Sequence, residues 1–475
     1  MGSTFTWKYL TWSRCIIHRR LRNFGKIQRC QSSTAITNKN ILQLHERGLF
    51  QNVFPPESSP DLMKKLLSGP QCIYCGFDPT ASSLHVGNLL AIIALLHSQR
   101  VGHQPIAVVG GCTAKIGDPS GRKTDRVPMD NELIEENSSS IKESLQRIFD
   151  NHRDFLWKQP NKELPEPLIL NNEEWYANLN VIDFLAKYGR SFRLADMLSK
   201  HSVKSRLSSP EGMNFTEFTY QMFQSFDWLT LHKHYNCSIQ IGGNDQLGNI
   251  VAGYEFISQM TDEKVLGLTI PLLTTTTGDK LGKSAGNTVW LNADKTSPFD
   301  LYQYFLNQPD ADVERLLKLY TFLSNEHIEN IMEEQRAKPH ERIGQRTLAE
   351  QVVLLVHDES GLKMAKRWTE AFFTNNTDVL SRLSESEITE LFRSAATCRM
   401  LLEPGMTVLE TCMKANCFDR EVDAERIIRA GGVRFNHQRV AEPDMVLQEG
   451  QHILSNKLSL IRVGKKNHYI VKWLP

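Results

Sequence analysis

The sequence lacks the features of several protein classes. No hydrophobic stretch approaches the roughly 20 residues that a membrane-spanning helix needs, so we expect no membrane partner. Cys72 and Cys75 form a lone Cys-x-x-Cys pair, with no second pair and no matching histidine cluster, so we expect no protein-bound metal. Strand spacing places these two thiols on different faces, and we interpret Cys72 as a core residue. No Ser-His-Asp or Cys-His arrangement is evident, so we expect no catalytic nucleophile on the protein.

The N-terminal segment lacks acidic residues, and the first one in the chain is Glu46. Eight basic residues precede it: Lys8, Arg14, Arg19, Arg20, Arg22, Lys26, Arg29 and Lys39. A basic, hydroxyl-containing and acid-free segment with interleaved apolar residues is typical of an organelle transit peptide, which we assign to residues 1–35. The alternative is a disordered basic arm that grips RNA. The segment itself does not distinguish a mitochondrion from a plastid.

Short apolar runs alternate with helical patterns over residues 36–290. Strands are predicted at 72–77, 105–109, 167–170, 237–241 and 268–273, and helices at 87–100, 130–149, 180–189, 215–231 and 246–260. Residues 41–67 also have helical spacing, which Pro55, Pro56 and Pro60 interrupt. This alternation predicts an α/β fold with a doubly wound, Rossmann-like parallel sheet, which binds ligands beyond the carboxyl ends of its strands.

The composition changes after Trp290. We predict an α-helical domain over 291–380, a linker over 381–405, and a small α+β domain over 406–475. From Arg426 to the end, nine basic residues stand against three acidic ones, which favours phosphate binding over a merely solvated surface. The helix, Gly431-Gly432 turn and following strand resemble the S4 RNA-binding module.

Four loop motifs follow apolar runs. The first runs from Cys72 to Thr80 and continues into His85-Val86-Gly87-Asn88, where a strand feeds a helix N-terminus that can bind an anion. The others are Gly110–Gly121, Gln240–Gln246 and Lys280-Leu281-Gly282-Lys283-Ser284. In this order, from about Ile41 to the C-terminus, they resemble the tyrosyl-tRNA synthetases.

The resemblance implies a two-step reaction. Tyrosine is activated with ATP, accompanied by Mg²⁺, and is then transferred to the 3′ end of tRNA-Tyr. Family members are homodimers, so an inserted segment within 36–290 is expected to form the dimer. The helical domain is expected to meet the anticodon region. Together with the N-terminal segment, the resemblance predicts a mitochondrial matrix enzyme.

The resemblance also assigns the nucleotide site. The expected catalytic residues are Thr80, His85, Asn88, Lys280, Lys283 and Ser284. The expected ATP-binding residues are Cys75, Gly76, Asp78, His85, Gly87, Gly243, Asp245, Leu273, Lys280 and Lys283. Asp245 is expected to hold the ribose hydroxyls, although an Asp before a helix is also a common cap, and both roles are compatible.

Tyrosine recognition needs partners for the ammonium, the ring and the phenol. The resemblance implies Asp118, Tyr220 and Gln224 for the ammonium, and Tyr74 and Asp227 for the phenol. Gln240, Gly243 and Gln246 complete the pocket with Asp78, and Asn172 and Trp175 match a further loop. Tyr220, Gln224 and Asp227 are spaced to share one helix face. A site built for the hydroxyl rejects phenylalanine, because an empty slot leaves buried polar groups unpaired.

The sequence departs from the family pattern at four places: Asn88 replaces a His, Leu247 replaces a Trp, and Leu281 and Gly282 replace Met and Ser. An amide at position 88 can still donate to a ribose oxygen. Two rival interpretations are the sister tryptophanyl enzyme, which also carries Asn there, and an inactive synthetase scaffold that binds RNA, such as a splicing helper. The intact Asp118, Asp245, Lys280 and Lys283 favour an active enzyme.

Overall fold

The computed structural model describes residues 44–474 except for 45, 57–68, 123, 160, 273–282, 285–286, 374–379, 385–386, 388–395 and 465–466. The predicted transit peptide therefore lies outside the described residues. The first half contains β1 (Asn52–Phe54), β2 (Cys72–Phe77), α1 (Val86–Arg100), β3 (Gln104–Val109), α2 (Thr113–Ile116), α3 (Asn131–Asn151), β4 (Leu168–Asn171), α4 (Glu173–Tyr176), α5 (Val181–Lys187), α6 (Leu194–Ser199), α7 (His201–Leu207), α8 (Phe215–Tyr235), β5 (Cys237–Gly243), α9 (Leu247–Thr261) and β6 (Leu266–Ile270).

The second half begins with the short hairpin β7 (Lys283–Ser284) and β8 (Asn287–Thr288). It continues with α10 (Pro298–Leu306), α11 (Asp310–Tyr320), α12 (Asn325–Ala337), α13 (Ile343–Phe373), β9 (Ala396–Leu401), α14 (Val408–Lys414), α15 (Glu421–Arg429), β10 (Val433–Phe435), β11 (Gln438–Val440), β12 (Leu458–Val463) and β13 (Asn467–Leu474). Helix α13 is kinked at His357 and Asp358.

The main sheet has the strand order β1-β6-β5-β2-β3-β4. All neighbours are parallel except β1 and β6. The chain first builds outward from β2 to β4 and then returns to place β5 on the other side of β2. Strand order therefore reverses between β2 and β5, where a crevice opens at the carboxyl ends.

The alternation of β2 divides two cores. Ile73, Cys75 and Phe77 pack with the buried face of α1 and α3, whereas Cys72 and Tyr74 pack with α8 and α9. Helices therefore cover both faces of the sheet, which confirms the doubly wound α/β prediction. The two thiols lie on opposite faces as predicted, and Cys72 is a core residue.

The helical prediction for 41–67 is wrong at Asn52–Phe54, which forms the antiparallel edge strand β1 against β6. Backbone pairing with an open sheet edge outweighs a weak helical pattern there. Just before β1, the Arg47 side chain donates hydrogen bonds to the carbonyls of Lys318, Thr321 and Leu323, at 2.9, 2.8 and 2.7 Å. These bonds join the N-terminal part of the described chain to the end of α11.

The C-terminal sheet has the order β11-β10-β12-β13-β9, with β9 parallel to β13 and the other pairs antiparallel. Because β9 spans Ala396–Leu401, this sheet begins inside the segment predicted as the 381–405 linker. The linker pattern does not reveal β9, because its partner β13 lies some 70 residues further along the chain. An apolar cluster that includes Trp368, Phe372, Leu460 and Ile470 joins this sheet to α13.

The described residues contain neither a candidate membrane span nor a candidate metal site. No helix there is long and apolar enough to cross a membrane. No group of three or more His, Cys, Asp and Glu side chains in the same residues could hold a metal ion.

Candidate active site

Tyr74 on β2 and Gln240 on β5 are direct neighbours across the switch point. Both side chains are buried. The Tyr74 hydroxyl and the Gln240 Oε1 have no hydrogen-bond partner within the described part of the chain. Buried polar atoms are rarely left unpaired, so two of them side by side mark a place where a ligand group belongs.

Asp227 on α8 faces the same space. Its Oδ1 accepts a hydrogen bond from Trp175 Nε1 at 2.8 Å, and its Oδ2 accepts one from Asn172 Nδ2 at 3.1 Å. Burial raises the pKa of this carboxyl to about 7, although both hydrogen bonds oppose the shift. Burial, and secondarily the charge of Asp227, raises the pKa of Tyr74 well above its ordinary value. Both groups are therefore poised to exchange hydrogen bonds with a ligand hydroxyl.

Asp78 follows β2 and binds two hydroxyl groups. Thr113 Oγ1 donates to Asp78 Oδ1 at 2.7 Å, and Tyr220 OH donates to Asp78 Oδ2 at 2.8 Å. Burial raises the pKa of Asp78 to about 6. Gly110 is required beside this carboxylate, because a Cβ there would overlap Asp78 Oδ1.

Asp118 is held by partners from two elements. Its Oδ1 accepts from the Ser120 amide at 3.0 Å and from Asn249 Nδ2 at 3.4 Å, and its Oδ2 accepts from Gln246 Nε2 at 2.6 Å. The charge of Asp118 contributes to the raised pKa of Asp78, and the charge of Asp78 contributes to that of Asp227. Asn172 donates to both Thr113 and Asp227, so hydrogen bonds connect Asp227 to Asp78, and the negative charge beside Asp118 suits an ammonium group.

His85 begins α1 through a reciprocal cap. Its Nδ1 accepts from the Asn88 amide at 3.2 Å, and the Asn88 Oδ1 accepts from the His85 amide at 3.1 Å. Burial lowers the pKa of His85, so the neutral ring carries its proton on Nε2, which is left to donate. Gly87 accommodates the ring, because a Cβ there would lie 2.9 Å from it.

The segment after the β7–β8 hairpin is anchored beside His85. The Val86 amide donates to the Val289 carbonyl at 3.0 Å, and the Leu291 amide donates to the Leu84 carbonyl at 2.8 Å. Lys283 and Ser284 form β7, of which only the backbone is described. The catalytic roles of their side chains therefore stay a prediction. Leu273 and Lys280 lie outside the described residues.

The remaining predicted residues occupy distinct positions. Asp245 lies in a turn before α9, beside Gly243 and Gly121, which leave room for its carboxylate. Thr80 and Gly76 are exposed near the end of β2, and Gln224 is partly exposed one turn after Tyr220. Cys75 faces α1 rather than the Tyr74 side, and burial raises the pKa of its thiol to about 12.

Two polar residues of the pocket, Thr113 and Asn249, were not predicted from the sequence. Thr113 bonds both Asp78 and Asn172, and Asn249 bonds Gln246 and Asp118. Thr113 follows the Gly110-Gly111 turn within a quoted motif, and Asn249 is three residues after Gln246 on a helix, so both spacings carried a usable signal.

Comparison with known proteins identifies the family of the chain. Residues 67–374, more than half of the chain, match the sequence model of the tRNA synthetases class I (W and Y). The chain belongs to this family of class I aminoacyl-tRNA synthetases.

Similar proteins indicate the branch of that family. The chain is 52% identical over 445 residues to the mitochondrial tyrosine–tRNA ligase of Drosophila melanogaster, covering 93% of this chain and 96% of the relative. It is 48% identical over 433 residues to the mitochondrial tyrosine–tRNA ligase of Homo sapiens, covering 90% of each. A C-terminally truncated mitochondrial tyrosyl-tRNA synthetase of Aspergillus nidulans superposes with a TM-score of 0.64 at 32% identity, covering 70% of this chain and 94% of that one. Within the family the chain belongs with the mitochondrial tyrosyl-tRNA synthetases.

The Asp227 environment gives a first prediction. In protein labelled with 5-fluorotryptophan, the ¹⁹F resonance of Trp175 should titrate near pH 7, because its indole donates to a carboxylate whose pKa is about 7. Trp157, which donates to the Lys162 carbonyl, is the internal control and should not titrate there. Since the folded pKa lies above the ordinary 3.8, ionisation of Asp227 lowers stability as the pH rises from about 4 to about 7. A Trp175 resonance that is flat between pH 5 and pH 8 would contradict this assignment.

Proposed function

We propose that this chain activates L-tyrosine with ATP and transfers it to the 3′ end of mitochondrial tRNA-Tyr, as a tyrosine–tRNA ligase of the mitochondrial matrix. The observation that carries the proposal is the unpaired Tyr74 hydroxyl in a buried slot that also contains Asp227. A phenol in that slot would donate to the carboxylate and accept from Tyr74. Both buried groups would then be satisfied.

The ammonium end of tyrosine has its own partners in this proposal. Asp118 and Asp78 supply negative charge, and Tyr220, bonded to Asp78, orders the site. Gln246 donates to Asp118 at 2.6 Å and would lie near the tyrosine carboxylate. Gln224 adds a polar group one helical turn from Tyr220. The substrate is thereby oriented from both ends.

The first chemical step would be attack of the tyrosine carboxylate oxygen on the α-phosphorus of ATP. The bond to pyrophosphate breaks, and its electrons stay on the pyrophosphate. Such transfers depend on alignment and charge neutralisation. The neutral His85 would donate from Nε2 at the α1 N-terminus, with Thr80 and the Asn88 amide beside it. Lys280 and Lys283 would neutralise the leaving phosphates.

ATP would be held against the glycines at the end of β5, with Asp245 accepting from its ribose hydroxyls. Mg²⁺ that accompanies ATP would share in neutralising the charge of the triphosphate. In the second step, a terminal ribose hydroxyl of tRNA attacks the activated carbonyl and AMP leaves.

The C-terminal sheet and its two helices would form an S4-like RNA-binding domain. Gly431 has a φ of +70° and ends α15, and Asn436 and His437 form the tight turn between β10 and β11. The basic residues Arg426, Arg429, Arg434, Arg439, Lys457, Arg462 and Lys472 belong to this domain. The helices α10–α13 would meet the anticodon region.

Self-association is supported by a set of exposed apolar side chains between the loop before α3 and the start of α8. They are Val127, Val181, Ile182, Leu185, Leu194, Leu198, Leu207 and Phe215. Phe215 is 78% exposed and Val127 is 85% exposed, which is unusual for large apolar side chains of a monomer. We propose that a second copy of this chain covers the surface that these side chains occupy.

Amino-acid-dependent ATP–pyrophosphate exchange tests the activity. Tyrosine, and not tryptophan, should support exchange by the wild-type protein. Tyr74→Phe should raise the KM for tyrosine roughly 3- to 10-fold and weaken discrimination against phenylalanine, because one hydrogen bond is lost. Asp227→Ala should lower kcat/KM about 100-fold, because the Asn172 and Trp175 side chains also lose their acceptor.

Tyr469→Phe, in β13 of the C-terminal sheet, is the matched control and should leave exchange unchanged. Exchange driven by tryptophan would instead identify the sister enzyme.

Arg429→Ala tests RNA docking by the C-terminal domain. This exposed side chain should contribute one phosphate contact, so tRNA binding should weaken and the slope of log affinity against log salt should fall by about 1. Tyrosine-dependent exchange should not change. Arg153→Ala removes an exposed arginine two residues after the end of α3 and is the control. Equal loss of exchange and tRNA charging in Arg429→Ala would contradict the docking role.

Phe215→Lys tests the proposed dimer surface. A cation at the centre of a buried apolar contact is costly, so sedimentation velocity should show a shift from dimer to monomer at micromolar concentration. Val422→Lys, at a 77% exposed valine of α15 outside this surface, should stay dimeric. Unchanged sedimentation of the Phe215 variant would rule out this surface.

A further inference from the structure

Arg206 on α7 is a fully buried cation that lies outside the pocket. Its side chain is 0% exposed and forms ion pairs through Nη2 with Asp125 and with Glu217 Oε2, the latter at 3.0 Å. The Glu217 side chain is only 3% exposed. A buried ion pair generally stabilises a fold no better than apolar side chains of similar volume. The ion pair does, however, fix the positions of the chain segments that it joins.

Two hydrogen bonds connect this ion pair to Asp118. The second oxygen of Glu217, Oε1, accepts from the Arg126 amide at 2.9 Å. The Arg126 Nε in turn donates to the Asp118 carbonyl at 3.2 Å. Asp125 and Arg126 therefore bind the same Arg–Glu pair from one loop, and that loop carries Asp118 at its start.

The ion pair also fixes the start of α8. Glu217 lies in the first turn of this helix, and its amide donates to the capping side chain of Asn214 at 2.9 Å. Tyr220 follows Glu217 by three residues and donates to Asp78. One buried arginine thus holds two polypeptide segments that approach the same pocket from opposite sides.

We propose that Arg206 is a positioning residue for the ammonium end of the amino-acid pocket, acting through Glu217 and Arg126 on Asp118 and Tyr220. This inference rests on the proposed tyrosine site. Arg206 does not touch the substrate. Its role is to keep the Asp118 loop and the first turns of α8 at a fixed separation, which the amino group of the substrate then bridges.

Two variants separate positioning from stability, measured in full-length protein by tyrosine-dependent pyrophosphate exchange and by thermal unfolding. Arg206→Met leaves the buried Glu217 without its counter-charge, with only the Arg126 amide as a partner, so the Tm should fall and the KM for tyrosine should rise roughly tenfold, with the KM for ATP unchanged. The double variant Arg206→Met/Glu217→Met removes both charges. Its Tm should recover, whereas its KM for tyrosine should stay high, because nothing then receives the Arg126 amide.

Arg206→Lys keeps the charge with fewer donors and should give an intermediate KM for tyrosine. Arg47→Met is the matched control, since it removes another largely buried arginine that bonds three carbonyls far from this loop. It should lower the Tm without changing the KM for tyrosine.

Three results would overturn the inference. They are a KM for tyrosine that recovers together with the Tm in the double variant, an equal rise in that KM for Arg47→Met, and an unchanged KM in Arg206→Met. A wild-type protein without tyrosine-dependent exchange would instead overturn the proposed function on which the inference rests.

Discussion

The burial of carboxylates at the crevice between β2 and β5 is the constraint on which the site depends. Ionised groups resist burial, and the raised pKa values of Asp78 and Asp227, about 6 and about 7, record that resistance. The surrounding donors offset part of it: Thr113 and Tyr220 for Asp78, and Asn172 and Trp175 for Asp227. A bound amino acid with an ammonium and a phenol would supply the rest, so the pocket favours its substrate by being incompletely satisfied without it.

Much of the remaining architecture keeps these groups in place. Glycine at position 110 lets the backbone pass beside Asp78, and glycine at position 87 lets the His85 ring turn toward the α1 N-terminus. The Asn88 cap holds that ring as a neutral donor. The strand contacts of Val289 and Leu291 with the segment around His85 then anchor the chain that follows the β7–β8 hairpin. The region around His85 is thereby assembled from elements about 200 residues apart in the chain.

The parts outside the sheet are joined to it by specific contacts as well as by apolar packing. Arg47 satisfies three carbonyls around the end of α11, so the edge strand β1 and the helices after Pro298 share one framework. The C-terminal sheet packs against α13 through the cluster around Trp368, and the His437 ring lies 3.0 Å from the Ala371 carbonyl. An RNA-binding surface placed there would have a defined orientation relative to the pocket.

Local pattern alone predicted the doubly wound sheet and the loops that end its strands, because strand and helix periodicities and loop motifs are encoded over a few neighbouring residues. The pocket residues Tyr74, Asp78, Asp118, Tyr220, Asp227, Gln240 and Gln246 were predicted only through the resemblance of those loop motifs to a known family. Local pattern mistook β1 for helix and left β9 in a linker, because a strand's pairing energy comes from a partner distant in sequence. Only the tertiary structure revealed that Thr113 and Asn249 complete the pocket, that Asn88 caps α1, and that Arg206 holds the Asp118 loop against α8. These roles depend on which side chains meet across elements, and hydrogen bonds and ion pairs act only at those short distances.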